Sequence, residues 1–146
     1  MLFRVGDLTN QLKPPPDEIV AGFGDVADSR DTHGPTRGGL RPSAFRRVRE
    51  YILAHLVEDI SIRVLAELVG LSAWHFARAF KQSAGMPPHR FVLQSRVERV
   101  KHLLLETELP VAQIAVAAGF ADQSHCCRCF REIVGITPSR FRWSRR

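Results

Sequence analysis

Apolar positions recur with helical spacing from Ser43 onward, and ahead of it they do not. In "SAFRRVREYILAHL" Phe45, Val48, Ile52 and Leu56 share one face, which predicts a first helix over about 44–57 with Ser43 as its cap. "PHRFVLQSRVERVKHLLLE" (88–106) predicts a long helix entered through Pro88, with Leu93, Val97, Val100 and Leu104 as a buried stripe. Residues 1–41 carry "PPP" and "HGPTRGGLRP" with no sustained period of 3.6 or 2.0, and read as a flexible leader or linker.

The pattern also repeats. "ISIRVLAELVGLSAWHFARAFKQSAGMPPHRF" (60–91) matches "LPVAQIAVAAGFADQSHCCRCFREIVGITPSRF" (109–141) at a separation of 49 to 50 residues. The match pairs Ala66 with Ala115, Gly70 with Gly119, Arg78 with Arg128, Phe80 with Phe130, Gly85 with Gly135, Pro88 with Pro138 and Phe91 with Phe141. Two copies are too few for a solenoid. Each reads instead as a short helix, a tight turn and a longer helix. In the first copy Val64, Leu65 and Leu68 form the apolar side, Gly70 stops the helix by taking a left-handed conformation, and Ser72 caps the next one. In the second, Ile114, Ala115 and Ala117 lead to Gly119, and Asp122 caps. Small residues at Ala66 and Ala115 let the two helices of each copy approach closely, the helix-turn-helix arrangement. An ordinary glycine-terminated hairpin accounts for either copy alone; the shared register favours helix-turn-helix for both.

Charge sharpens this picture. Residues 1–40 hold four basic side chains against six acidic ones, whereas residues 41–146 hold 17 against 9. A basic folded part meeting a polyanion follows, with nucleic acid ahead of an anionic membrane surface. Arginine supplies 18 of the 21 basic residues, which suits bidentate contact to phosphate and guanine and is also what a GC-rich genome produces. No run of about 18 apolar residues is present and the first residues lack an apolar signal core, so a cytoplasmic location is expected.

On the second helix of the first copy, Trp74 and Arg78 lie four apart on one face, while Phe76, Ala79 and Phe80 face inward. In the second copy Gln123, Ser124, Cys127, Arg128 and Arg131 form the outer face, and Cys126, Cys129, Phe130 and Ile133 the inner one. A helix fits the major groove, where arginine donates two bonds to guanine and glutamine pairs with adenine. Three cysteines within four positions cannot make a disulfide framework, and two readings compete for them. Cys126 and Cys129 have C-x-x-C spacing beside His125, but zinc sites ordinarily need four ligands and no second pair is present. Core packing by Cys126 and Cys129 is the other reading, which leaves Cys127 as an accessible thiol.

Residues 43–144 resemble the DNA-binding domain of the AraC family of bacterial transcriptional activators. "GFADQSHCCRCFREIVGITPSRFR" carries the most specific part: Gly-Phe, a polar turn, an amphipathic helix with an Arg-x-Phe pair, then Gly-x-Thr-Pro-x-x-Phe-Arg. Cys126 stands where the family commonly has an aromatic residue, Pro110 where a serine cap often lies, and Pro87 where serine or threonine usually precedes Pro88. The resemblance implies an all-α fold of two homeodomain-like helix-turn-helix subdomains, about 60–84 and 110–134, joined by the linker helix 88–106 within a domain spanning 42–146. It implies a transcriptional regulator and not an enzyme, double-stranded DNA as partner, RNA polymerase as a second partner, and no metal or cofactor. It carries DNA contact to Trp74, His75 and Arg78 in the first unit and to Gln123, Ser124, Arg128 and Arg131 in the second. For any one of these a solvated surface side chain is the alternative, though an exposed Trp74 is costly unless it touches something.

A linker helix of about 28 Å against roughly 34 Å between successive major grooves lets one monomer reach one DNA face with both recognition helices. Two other functions fit the pattern: a helical protein-interaction module without specific DNA binding, and a thiol-dependent DNA-repair enzyme. The second lacks a Cys-His-acid arrangement and a glycine-rich phosphate loop. About 40 residues ahead of the domain leave no room for an effector-binding barrel, so the expectation is a stand-alone regulator or the tail of a longer protein.

Overall fold

The computed structural model describes residues 38–145, so the leader predicted over 1–41 lies almost wholly outside the described residues. Within them the chain is all helical, with no strand: α1 (Pro42–Ala54), α2 (Ile62–Leu68), α3 (Ala73–Ala84), α4 (Pro88–Glu106), α5 (Val111–Ala117), α6 (Gln123–Val134) and α7 (Pro138–Ser144). No described helix is long and apolar enough to cross a membrane. The described residues fall into two compact units, one built from 38–55 and 59–92, the other from Leu56–Glu58 and 93–145.

In the first unit α1 begins one residue before the predicted serine cap. Arg41 is the N-cap and makes no side-chain bond, and Pro42 takes the first helical position. Proline has no N–H to satisfy there and its fixed φ already suits a helix, so Ser43 is not needed as a cap. The helix also stops at Ala54, before the predicted 57, where His55 leaves the helical backbone (φ −121°, ψ 25°) and its N–H is shared between the Tyr51 and Ile52 carbonyls. Phe45, Val48 and Ile52 are buried against Leu65 and Ala66 of α2 and Phe76, Ala79, Phe80 and Ala84 of α3. Phe80 centres an aromatic cluster, 5.5 Å from Phe45, 5.7 Å from Phe76 and 5.4 Å from Phe91 by ring centroids. Each such ring stabilises the fold by about 1.5–3 kcal/mol through burial. Leu40, on the leader side of the predicted boundary, is buried and its N–H donates to Ser83 Oγ at 2.7 Å. Val64, expected on the apolar side of α2, is 38% exposed, since a helix of two turns buries only the narrow face carrying Leu65 and Ala66.

The second unit packs α5, α6 and α7 on the C-terminal part of α4. Its core joins Val97, Val100, Leu103 and Leu104 of α4 to Ile114, Ala115 and Ala117 of α5, Cys126, Cys129 and Phe130 of α6, and Phe141 of α7. Two arginines fasten it by donating to backbone carbonyls that a helix end or turn would leave bare. Arg142 reaches Leu104 O (3.3 Å), Thr107 O (3.4 Å) and Leu109 O (2.7 Å), closing the α4–α5 turn. Arg96 donates from Nε to Leu56 O at 2.9 Å and from Nη2 to Glu58 O at 3.0 Å.

Both units make the same turn. Val69 ends α2, Gly70 N–H donates to Glu67 O (3.2 Å) and Leu71 N–H to Ala66 O (3.0 Å); Ala118 ends α5, Gly119 N–H donates to Val116 O (3.1 Å) and Phe120 N–H to Ala115 O (2.9 Å). This paired closure needs a left-handed residue after the helix, and Gly70 (φ +69°) and Gly119 (φ +98°) supply it. The next helix then starts on a capped residue: Ser72 Oγ accepts from His75 N–H at 3.2 Å, and Asp122 Oδ1 accepts from His125 N–H at 2.7 Å.

Candidate nucleic-acid interface

The caps and inward rings fix which side chains α3 and α6 turn outward. With Phe76, Ala79 and Phe80 buried, α3 exposes Trp74, His75, Arg78 and Lys81. Trp74 is 64% exposed. The Arg78 guanidinium lies over the indole, 5.4 Å from its centroid, and the His75 ring meets Trp74 edge-on at 5.0 Å and 79°. Ser72 Oγ stands 2.9 Å from His75 Nδ1. Trp74, His75 and Arg78 therefore form one contiguous exposed group.

On α6, burial of Cys126, Cys129 and Phe130 leaves Gln123, Ser124, Arg128 and Arg131 exposed. This face has no aromatic residue: Ser124 occupies the place of Trp74. His125, at the place of His75, is half-buried and turns its ring against Phe120 instead, at 5.4 Å and 87°. The seven residues singled out from the sequence thus lie exposed on two recognition-type helices, three in one unit and four in the other.

The cysteines divide by face. Cys126 and Cys129 are buried within the core of their unit, and Cys127 is half-buried. Burial pushes the Cys126 thiol from its ordinary 9.0 up to about 12, with smaller contributions from Cys127 and Cys129, so it is a neutral packing group at physiological pH. Among the described residues no group of three or more His, Cys, Asp or Glu side chains is placed to hold a metal ion.

The helix-turn-helix domain family matches residues 65–144, over half of the chain. A transcriptional regulator of Chromobacterium violaceum with an AraC-type DNA-binding domain is 30% identical; the similarity covers 70% of this chain and 92% of that one with a TM-score of 0.67. The chain belongs to the AraC family. The DNA-binding domain of AdpA, a global transcriptional factor, was solved in complex with a target DNA and is 26% identical, the similarity covering 69% of this chain and 91% of that one with a TM-score of 0.66. The probable transcriptional regulator LumQ of Photobacterium leiognathi is 33% identical over 96 residues, 66% of this chain and 39% of LumQ. The chain spans 15–39% of the length of the first curated relatives it matches. Family and fold are those of DNA-binding transcription regulators and not of enzymes.

Within the AraC-family signature, Arg142 is a structural residue: its guanidinium is committed to three carbonyls, as Arg96 is to two. Arg47, an exposed side chain, makes one longer bond of this kind, from Nη1 to Leu68 O at 3.3 Å. These guanidiniums keep their positive charge, but the donors engaged with carbonyls are not free for phosphate or base contacts. The feature that sequence reading missed is the contact between Trp74 and Arg78. Their spacing of four placed them on one face, but only side-chain conformation shows the guanidinium lying over the indole.

Proposed function

We propose that the chain acts on double-stranded DNA as a sequence-specific transcriptional regulator, with α3 and α6 each entering a major groove of one duplex. Base-edge contacts come from Trp74 and Arg78 in the first unit and from Gln123, Ser124 and Arg128 in the second; His75 and Arg131 lie on the same faces and complete the DNA contact. The observation that carries this reading is the pair of equivalent outward faces, each with an exposed arginine at the same place, Arg78 and Arg128. The complex of the related AdpA domain with its target DNA supports it. One chain carries both recognition helices, so it binds as a monomer. In the cytoplasm it works through RNA polymerase, the partner that membership of a family of transcriptional regulators suggests.

Binding to a duplex selected by the purified chain, titrated against salt and compared with scrambled duplex, tests the reading. A steep fall of log affinity with log salt, together with at least a thousandfold preference for the selected site, is expected. Equal affinity for both duplexes would instead indicate a helical interaction module. Sedimentation of the complex tests stoichiometry, and two chains on the minimal site would overturn the monomer.

A further inference from the structure

We propose that Trp74 is a positioning residue for Arg78: the indole holds the guanidinium plane in the orientation needed to meet a base edge. This rests on the assignment of Arg78 to base contact under Proposed function. Three observations support it. The guanidinium lies over the indole face at 5.4 Å, the geometry in which a cation is held by the ring quadrupole. Trp74 has its own restraint, the His75 ring set edge-on at 5.0 Å. His75 in turn is tied to the helix cap, with Ser72 Oγ 2.9 Å from Nδ1. A string of contacts thus runs from the cap through two rings to the guanidinium, across a face otherwise open to solvent.

An unrestrained arginine on an exposed helix must be ordered when it binds, and bidentate pairing with guanine demands one plane. A guanidinium already held over a ring forfeits less freedom at that step. The second unit has no such device, since Ser124 replaces Trp74 and His125 faces Phe120. Trp74 therefore sets how sharply Arg78 discriminates, beyond any contact the indole itself makes.

The test uses the full chain and the duplex it selects from random DNA, with base-pair variants at each position. Trp74→Ala, Trp74→Phe, Arg78→Ala and the double variant are compared. Arg78→Ala should flatten preference at one base pair. Trp74→Ala should flatten preference at that same base pair in addition to any position the indole itself contacts, Trp74→Phe should retain most of the preference at the Arg78 base pair, and the double variant should lose about two- to fivefold less affinity than the product of the single losses. In the free protein the Arg78 side-chain protons should carry an upfield ring-current shift in NMR that Trp74→Ala removes, with no change in melting temperature because Trp74 is mostly exposed. If Trp74→Ala weakens every duplex equally, or the single losses simply multiply, the positioning role is wrong. A missing ring-current shift overturns it as well, while leaving base reading by Arg78 intact. If Arg78→Ala alters no base preference, the base-reading assignment fails and takes this proposal with it.

Discussion

Gly70 and Gly119 end equivalent helices with the same two backbone bonds, yet the residues after them go to opposite places: Leu71 is 37% exposed and Phe120 only 3%. The contrast continues inward. Phe76, at the centre of the first unit, corresponds to Cys126 in the second, and both are fully buried. The first unit fills its core with interlocking rings from α1, α3 and α4; the second fills the same plan with smaller side chains and seats Phe120 beneath them. Outside, the first presents Arg78 over the Trp74 ring, the second Ser124 and Arg128 with no ring beneath the guanidinium. The two units share the caps and glycines at a few backbone positions, while their cores and outer surfaces differ around them.

The core contrast should give the largest effects. Phe76→Ala removes a ring from a packed aromatic cluster and should destabilise the protein by about 3–5 kcal/mol, against about 1–2 kcal/mol for Cys126→Ala. Urea unfolding of the two variants measures both, and equal losses would mean the units are not packed as described. Cys126→Phe, which makes the second unit imitate the first, should cost about 1–3 kcal/mol by overpacking. If Cys126 and Cys129 instead held a metal, chelator would unfold the unmodified protein.

The two glycines break the symmetry more finely. A Cβ at Gly119 would collide with the Leu56 carbonyl oxygen and lie 2.9 Å from Arg96 Nε, whereas at Gly70 it would enter open space. Gly70→Ala should therefore cost only the left-handed strain, about 1–2 kcal/mol. Gly119→Ala adds a backbone collision and should lose at least about 1 kcal/mol more. Thermal unfolding separates them, and equal shifts would show that the Leu56–Glu58 segment yields easily.

Much of this was legible in the sequence because it is local. Ser72 and Asp122 cap at i to i+3, the glycines follow the last helical turn, and inner and outer faces of α3 and α6 follow the period of 3.6. What differed from the sequence reading, or went unread by it, lies where a second signal competes or a partner is distant. Pro42 made Ser43 redundant at the start of α1. Arg96 and Arg142 find their carbonyls 33 to 40 residues away, so nothing in their neighbourhood distinguishes them from DNA-facing arginines. The Trp74–Arg78 contact was half legible, its spacing but not its geometry.

On the DNA side, Arg78→Ala and Arg128→Ala should each cost about 1–3 kcal/mol of specific binding and relax base preference at separate positions, as measured by fluorescence anisotropy on single-base variants. Equal weakening on specific and random duplex would make them phosphate contacts. The smallest effect concerns thiols. Cys127 should react with a bulky thiol reagent before Cys126, whose thiol remains protonated up to about pH 12, and bound DNA should slow that reaction. Because folding raises the Cys126 pKa, its contribution to stability is intact below pH 9 and declines as pH rises toward 12, a slope that Cys126→Ala should abolish.

The most direct test is selection of bound sequences from random duplex DNA by the purified chain, repeated with Arg78→Ala and Arg128→Ala. A motif with two base clusters roughly one helical turn of 10–10.5 base pairs apart is expected, the sharper cluster lost with Arg78 and the other with Arg128. Absence of any enriched motif, or one cluster unaffected by either substitution, would contradict two reading helices on one chain.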